Sequence, residues 1–462
     1  MPLVSRRVLL TIVLLIANAL PAAADQPAAP PNVVIVLMDD MGYADVGCYG
    51  AEDIRTPQID RLAREGVRLT NFYSNGPVCT PTRCGLMTGR YQQRVGLEWA
   101  LGVTAEVARD AGGKSQPAKE YKSLGLDTKE TCVARMFKDA GFGTAIYGKW
   151  HLGYQPQFGP NAHGFDEFFG IHGGNADMYS HQYRDGTPDL YENTKPIVRE
   201  GYLTELIADR AVDYIDRKAG KQPFFLYVPF NAVHWPFQAP NHPEQRRNYD
   251  SWYAGDRAVY AAMLEAVDTA VGRIRTALEQ KGSLDNTLFI FTNDNGGEVR
   301  LASNKPLFHH KATLWEGGIR VPCILRWPGK LPAGKVSHQV GISMDLTASI
   351  LAACNIKPSR ELDGVDLLPV LKGEKNDFQR TLCWRINRAD RKQRAVRHGR
   401  WKYVLDGQQP VVSHELLFDL EVDPGERFNL ASRNPELMAT MRQLLAKWEA
   451  EMSESNPETI VR

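Results

Sequence analysis

The sequence predicts an α/β fold, a large doubly wound mixed sheet flanked by helices, followed by a smaller C-terminal α+β domain. Three observations predict it. Continuous apolar runs of strand length, led by Asn32-Val33-Val34-Ile35-Val36-Leu37-Met38, have the pattern of strands buried on both faces. Between two such runs, Asp256 to Gln280 carries apolar residues at helical spacing and predicts a long amphipathic helix. Beyond Leu371-Lys372-Gly373-Glu374-Lys375 the texture changes to short segments separated by turns, as expected of antiparallel strands.

In chain order, Arg6-Arg7, the apolar run Val8 to Leu20 and Ala22-Ala23-Ala24 read as a signal peptide over residues 1–24, cleaved after Ala24. The run is too short to span a membrane comfortably, so no stable membrane insertion is expected, and the mature protein is expected to be exported, periplasmic or secreted. Ser5-Arg6-Arg7 also fits a twin-arginine export signal, and the export route stays open. Residues 25–31 form a Pro/Ala spacer. A catalytic domain is expected over 32–375, with a short helix over Ile59 to Gly66, a second over Thr131 to Ala140, and strands at Thr144 to Lys149, Phe224 to Pro229 and Thr287 to Thr292. The small domain, 376–462, should contain strands at Arg380 to Ile386, Ala395 to Leu405 and Glu415 to Leu420, a turn at Asp406-Gly407 and a helix over Pro435 to Met452.

Composition is that of a large globular protein: 462 residues, 43% hydrophobic, 9% aromatic and 24% charged. A net charge of +1 argues against a polyanion-binding surface and so against a nucleic-acid partner. The seven cysteines form neither a zinc pattern nor a dense disulfide framework. Cys323 and Cys354 sit in apolar surroundings as small hydrophobes, whereas Cys84 has the option of pairing with a distant thiol.

Cys79 is different. It lies in the Pro/Thr-rich segment Cys79-Thr80-Pro81-Thr82-Arg83, ahead of Cys84-Gly85-Leu86-Met87-Thr88-Gly89-Arg90, where a thiol adds little to packing and is better placed for chemistry. Asp39-Asp40 and Asp294-Asn295 each end an apolar strand, a position suited to a crevice at the sheet's carboxyl edge. Their oxygens suit a hard cation, Ca²⁺ or Mg²⁺. Zinc is disfavoured because no His or Cys adjoins either pair in the sequence.

The C-x-P-x-R segment followed by L-x-T-G-R-Y resembles the signature of type I sulfatases, whose cysteine is oxidised after translation to Cα-formylglycine. Five further segments recur in that family's order: the two acidic pairs, Gly148-Lys149-Trp150-His151-Leu152-Gly153, Phe230-Asn231-Ala232-Val233-His234-Trp235-Pro236, and Lys311-Ala312-Thr313-Leu314-Trp315-Glu316-Gly317-Gly318. Leu417-Phe418-Asp419-Leu420 onward resembles the family's carboxy-terminal segment. The resemblance implies an alkaline-phosphatase-like fold, a formylglycine-generating maturation enzyme as partner, and one Ca²⁺ (or Mg²⁺) held by Asp39, Asp40, Asp294 and Asn295 against residue 79. It also implies the chemistry: one hydroxyl of the formylglycine hydrate attacks sulfur, the alcohol leaves, and the second hydroxyl expels sulfate to regenerate the aldehyde. Arg83 and Lys149 are then expected to hold the hydrate ionised, and His151 to deprotonate its second hydroxyl. His234 and Lys311 are expected to bind the sulfate and protonate the leaving oxygen, His234 being the favoured acid because an imidazole titrates near neutrality.

The expected substrate is a sulfated carbohydrate. The segment Gly173 to His181 departs from family members that place a serine soon after the stretch matched by Gly164 to Gly170, so no serine contact is carried over. Asp177, His181, His309 and His310 are the candidate sugar contacts. Two alternatives remain at this stage: a phosphate or phosphonate ester hydrolase of the same superfamily, and a non-catalytic glycan-binding protein with unmodified Cys79. Oligomeric state is not legible in the sequence.

Overall fold

A computed structural model describes residues 29–102, 125–245, 250–388, 391–408 and 411–455. The expected signal peptide and most of the spacer lie outside the described residues. Around the strand Asn32–Met38 the chain builds a ten-stranded mixed sheet. Its centre is parallel: Asn32–Met38 lies between Thr287–Asn293 and Phe224–Pro229, followed by Gly143–Lys149 and Glu167–Ile171. Antiparallel neighbours, Cys323–Arg326 on one side and Tyr191–Glu192 on the other, make the sheet mixed.

The apolar run of the central strand divides between two layers, because successive side chains point to opposite faces. Val34, Val36 and Met38 pack with the helices Pro57–Glu65, Leu203–Lys218 and Arg257–Gln280. Val33, Ile35 and Leu37 pack with Cys79–Thr88, Val133–Asp139 and Ser343–Ala353. The long helix begins where its sequence directs, with the Asp256 carboxylate accepting from the Val259 N–H at 2.9 Å. Since the central strands run in register, with Met38 opposite Asn293 and Leu37 opposite Pro229, the segments following them meet at one edge.

The small domain is a four-stranded antiparallel sheet, Thr381–Asn387, Lys392–His398, Trp401–Gln408 and Val411–Asp419. The helix Pro435–Ser455 covers it through Met438, Met441, Leu445, Trp448 and Met452, one stripe at alternating three- and four-residue spacing. The single strand expected over Ala395 to Leu405 is corrected to a hairpin. Gly399 takes the left-handed φ of 59°, and the two-residue turn Gly399-Arg400 joins paired His398 and Trp401. Asp406-Gly407, expected as a turn, lies within a strand. The Pro/Thr-rich segment at Cys79 forms the first turn of the helix Cys79–Thr88, a position where proline is tolerated. None of the seven cysteines is disulfide-bonded, Cys84 included.

The two domains are joined by a fully buried charge group. Lys402 Nζ lies 2.9 Å from Glu316 Oε1 and 2.7 Å from Glu426 Oε1. Glu316 also accepts from Tyr73 at 2.6 Å and pairs with Arg320 at 3.2 Å. Burial pushes the Glu316 carboxyl up, but Lys402, Arg320 and Arg397 outweigh it and hold it down at about 2. Removing the shared cation leaves two carboxylates buried without it, which typically costs about 3–5 kcal/mol. Lys402→Met is therefore expected to lower the free energy of unfolding by about that amount in urea titration, and an unchanged midpoint would contradict the pairing.

Candidate active site

The parallel strands deliver their chemistry to the carboxyl edge. Asp39 and Asp40 follow Met38, and Asp294 and Asn295 follow Asn293, all four fully buried. The two strand ends are laced together: Asp40 N–H donates to Asp294 Oδ1 at 3.3 Å, and Asn295 Nδ2 donates to Asp40 Oδ1 at 2.8 Å. That second bond turns the Asn295 amide so that its Oδ1 is buried without a partner. A buried carbonyl-type oxygen without a partner, on a residue whose amide already reaches the Asp40 carboxylate, is a donor that a hard divalent cation satisfies, so these residues fit the Ca²⁺ or Mg²⁺ expected there.

The sequence argument against zinc needs a correction in space. Ligand atoms of Cys79 and His234 lie within 4.8 Å of those of Asp39 and Asp40, a grouping invisible along the chain. Burial pushes the Cys79 thiol up to about 12, so it is protonated in the free protein; the oxygen donors of Asp39, Asp40, Asp294 and Asn295 form a set without it, and that set suits a hard cation rather than zinc.

Three cations balance the three carboxylates. Arg83, one helical turn after Cys79, donates through Nη2 and Nε to Asp294 Oδ2 at 2.9 and 3.2 Å and through Nη1 to the Lys149 carbonyl at 2.7 Å. Lys149 Nζ lies 2.5 Å from Asp39 Oδ2, and Lys311 Nζ lies 2.7 Å from Asp40 and 3.6 Å from Cys79 Sγ. Cys79 Sγ in turn lies 3.5 Å from Asp39 Oδ1. Lysine and thiol therefore share one small space, whereas the Arg83 guanidinium is occupied with Asp294 and a main-chain carbonyl, one step behind residue 79.

Both histidines are held as neutral imidazoles with defined faces. His151 Nε2 bonds the Leu101 carbonyl at 2.8 Å, which requires the proton on Nε2 and leaves Nδ1 a bare, buried acceptor. Burial first, then Lys149, pushes its pKa well below the usual range. His234 Nδ1 bonds the Trp235 carbonyl at 2.7 Å, and its Nε2 faces Asp40 at 3.4 Å. Burial, then Lys311 and Lys149, pushes it down as well. The expectation that His234 titrates near neutrality is thereby corrected for the free protein.

Above this floor opens a cavity of about 280 Å³ that reaches Cys79, His151, His234 and Lys311. Its walls include Trp99, Trp235, Trp252 and Tyr253, with Asn175, Arg184 and Asp185 among the polar residues. Trp235 and Tyr253 meet edge to face with ring centroids 4.7 Å apart, and the indole N–H of Trp252 is buried without a partner. Sequence reasoning missed these residues. Trp235 and Asn175 lie within segments that the resemblance had drawn in, without being marked themselves, and Trp252-Tyr253 precede a helix without periodicity to mark them.

The four expected sugar contacts do not line the cavity. Asp177 is fully buried and accepts from the N–H groups of Tyr179 and Ser180 and from Gln238 at 2.7–2.9 Å, which makes it the organiser of its own loop. His181 is buried and bonds the Gly201 carbonyl at 3.2 Å. His309 is exposed and lies nearly parallel to Trp315, and His310 bonds the Lys311 carbonyl at 2.8 Å.

Comparison with known proteins agrees with this geometry. The family model "Sulfatase" matches residues 31–356, and a model for the C-terminal part of N-sulphoglucosamine sulphohydrolase matches 306–454. The chain is 34% identical to N-acetylgalactosamine-6-sulfatase of Mus musculus, over 92% of this chain and 86% of that protein. It is 32% identical to arylsulfatase A of Homo sapiens, over 92% and 88%. Among solved structures, Ps i-CgsB in complex with k-i-k-neocarrahexaose superposes with a TM-score of 0.79 at 31% identity, covering 94% of this chain and 95% of that one.

The donor set predicts the response to metals. Ca²⁺ or Mg²⁺ should raise the thermal unfolding midpoint of chelator-treated protein and restore its activity, and neither should do so for Asp40→Ala or Asn295→Ala. Restoration by Zn²⁺ alone would instead assign the site to Cys79 and His234 with the two aspartates.

Proposed function

The chain belongs to the sulfatase family, and from that premise we propose how its residues hydrolyse a sulfate ester and which esters they accept. The observation that carries the reading is the convergence of Lys311, His151 and His234 on residue 79 at the floor of a cavity. As a cysteine, residue 79 is a protonated thiol and a poor nucleophile. Its conversion to formylglycine by a maturation enzyme supplies a hydrated aldehyde with two hydroxyls, one to attack sulfur and one to release the sulfate afterwards. Asp39, Asp40, Asp294 and Asn295 would hold one divalent cation, which would supply positive charge for binding an anionic ester.

Charge balance supports these assignments. Burial, against the pull of Lys149, pushes the Asp39 carboxyl up to about 7; once a divalent cation ionises it, Asp39, Asp40 and Asp294 offset Arg83, Lys149 and Lys311 and the cation would leave an excess of two positive charges. A sulfate monoester contributes one negative charge and an ionised hydroxyl at residue 79 the other, which gives a neutral buried assembly in the reacting state. Lys149 favours the ionised hydroxyl. Arg83 fixes Asp294 and the Lys149 main chain, a positioning role rather than the direct contact the motif implied.

His151, neutral with Nδ1 bare, is set to take a proton from a hydroxyl at residue 79. Lys311 binds the sulfate as a protonated ammonium. His234 becomes a competent acid once the anionic ester has docked, because that charge opposes the two lysines that hold the imidazole neutral. It then protonates the departing oxygen from Nε2 while Nδ1–H stays on the Trp235 carbonyl.

A sulfated carbohydrate is the proposed substrate. The aromatic faces of Trp99, Trp235 and Tyr253 suit the C–H faces of a sugar ring, with Asn175, Arg184 and the Trp252 N–H to orient its hydroxyls. The relatives named for N-acetylgalactosamine-6-sulfatase and the carrahexaose complex support the same class. The apolar run ahead of the fold supports export, and no helix among the described residues is long and apolar enough to cross a membrane.

Parallel assays of matched aryl sulfate, phosphate and phosphonate esters test the reaction class. Sulfate should be hydrolysed with the highest kcat/KM, and a higher value on either phosphorus ester would assign the protein to the neighbouring hydrolases. Cys79→Ala should retain the fold and lose multiple turnover on every sulfate ester, and turnover by that variant would end the formylglycine reading.

The acid assignment has its own signature. His234→Ala should damage esters of poor leaving groups, such as sugar hydroxyls, by about 10²–10⁴-fold, and nitrophenyl sulfate far less. Equal losses across a series of graded leaving groups would reduce His234 to a sulfate contact.

A further inference from the structure

No described residue of the small domain lines the cavity, yet its second strand grips the segment that carries Lys311. Gln393, 3% exposed, accepts from the Leu314 N–H through Oε1 at 2.9 Å. Its amide orientation is fixed from behind, because Nε2 donates to Asp406 Oδ1 at 2.8 Å on the adjacent strand. Arg391, two residues earlier, donates through Nη1 to the Ala312 carbonyl at 2.7 Å. These two bonds hold the main chain one and three residues beyond Lys311.

The gripped segment is also the bridge between the parts of the active site. Lys311 N–H donates to the Gly297 carbonyl at 3.0 Å, Gly296 N–H to the Gly318 carbonyl at 2.9 Å, and Ala312 N–H to the Pro77 carbonyl at 2.8 Å. Gly296 and Gly297 follow the metal-site Asn295, and Pro77 precedes Cys79 by two residues. Ala312 adopts a left-handed φ of 67°, a conformation that an alanine holds only when its surroundings enforce it. The Arg391 bond falls on that residue.

We propose that Gln393 and Arg391, supported by Asp406, are positioning residues: they set the Lys311 ammonium against the sulfate across the boundary between the domains. The proposal rests on the reading of Lys311 as a sulfate-binding residue. A lysine on a long flexible stem contributes to transition-state binding only if its main chain is fixed, and a misplacement of about 1 Å costs on the order of 10²-fold. Gln393 and Arg391 act through Lys311, so their effects should disappear when Lys311 is absent.

The test is a double-mutant cycle in the matured, metal-loaded enzyme, read as kcat/KM on nitrophenyl sulfate and as the inhibition constant of inorganic sulfate. Gln393→Ala and Arg391→Ala should each lower kcat/KM by roughly 10- to 100-fold and weaken sulfate inhibition, with little change in the thermal midpoint. Arg391→Lys should recover most of the loss, since it restores a cationic donor to the Ala312 carbonyl. In a Lys311→Ala background the same substitutions should change either quantity by no more than about twofold. Equal losses in both backgrounds, or a lowered midpoint with unchanged kcat/KM, would overturn the proposal and leave these residues purely structural. Full activity of Lys311→Ala by itself would overturn instead the reading of Lys311 on which the proposal stands. Should Gln393→Ala fold poorly, Asp406→Ala releases the same amide while leaving Gln393 in place, and the same cycle applies.

Discussion

Everything in this molecule is arranged around the need to bury six full charges together. Asp39, Asp40, Asp294, Arg83 and Lys149 are fully shielded and Lys311 nearly so. Each such ion costs several kcal/mol to desolvate unless partners are in place. No single element of secondary structure can supply those partners. The parallel strands contribute the carboxylates, the helix starting at Cys79 contributes Arg83, the end of the Gly143–Lys149 strand contributes Lys149, and a loop anchored by the small domain contributes Lys311. The site therefore exists only when the whole sheet and its flanking layer are assembled, and the order of the central strands is a requirement of the chemistry as much as of packing.

The same constraint sets the charge available for catalysis. On the proposed charge balance, three carboxylates, three cationic side chains and one divalent ion would leave two positive charges, matching one monoester and one ionised hydroxyl. Neutral histidines fit this arrangement, since a permanently charged imidazole at either position would repel the lysines and disturb the balance. Their hydrogen bonds to main-chain carbonyls fix which nitrogen faces the reacting group.

Much of this was legible in the chain because strand ends are legible. Apolar runs such as Asn32–Met38 announce buried parallel strands, and the residues after them are forced to one edge, so Asp39-Asp40 and Asp294-Asn295 could be grouped from the pattern, whereas His151 and His234 joined them only through the resemblance of their segments to the sulfatase signature. Contacts that depend on tertiary juxtaposition left no such trace. Gln393 reaches Leu314 across 79 positions, and nothing in the local pattern marks it. Asp177 and His181 looked like sugar ligands because polar residues in a loop are indistinguishable by type from polar residues that organise one. The hairpin at Gly399 was missed because His-Gly-Arg-Trp lacks the usual turn pair, although the left-handed glycine performs the same function. The nearness of Cys79 and His234 to the aspartates was hidden for the same reason.

The division between floor and walls indicates where specificity resides. Nearly every polar atom at the floor has an assigned partner, and a change there disturbs the charge balance on which the reaction depends. The walls above are largely aromatic, so most of their shape can vary apart from the sulfate site, Trp235 being the exception. The segment Asn231 to Pro236 joins the two, because His234 faces the reacting group while the adjacent Trp235 forms wall and packs on Tyr253. A shift of the indole is thus transmitted to the imidazole through one peptide unit and through the hydrogen bond from Nδ1 to the Trp235 carbonyl. On the proposed mechanism, recognition of the alcohol and protonation of its leaving oxygen would be coupled: a sugar seated against the wall would also align His234, whereas a flat aryl ester that bypasses the wall would rely on the floor alone.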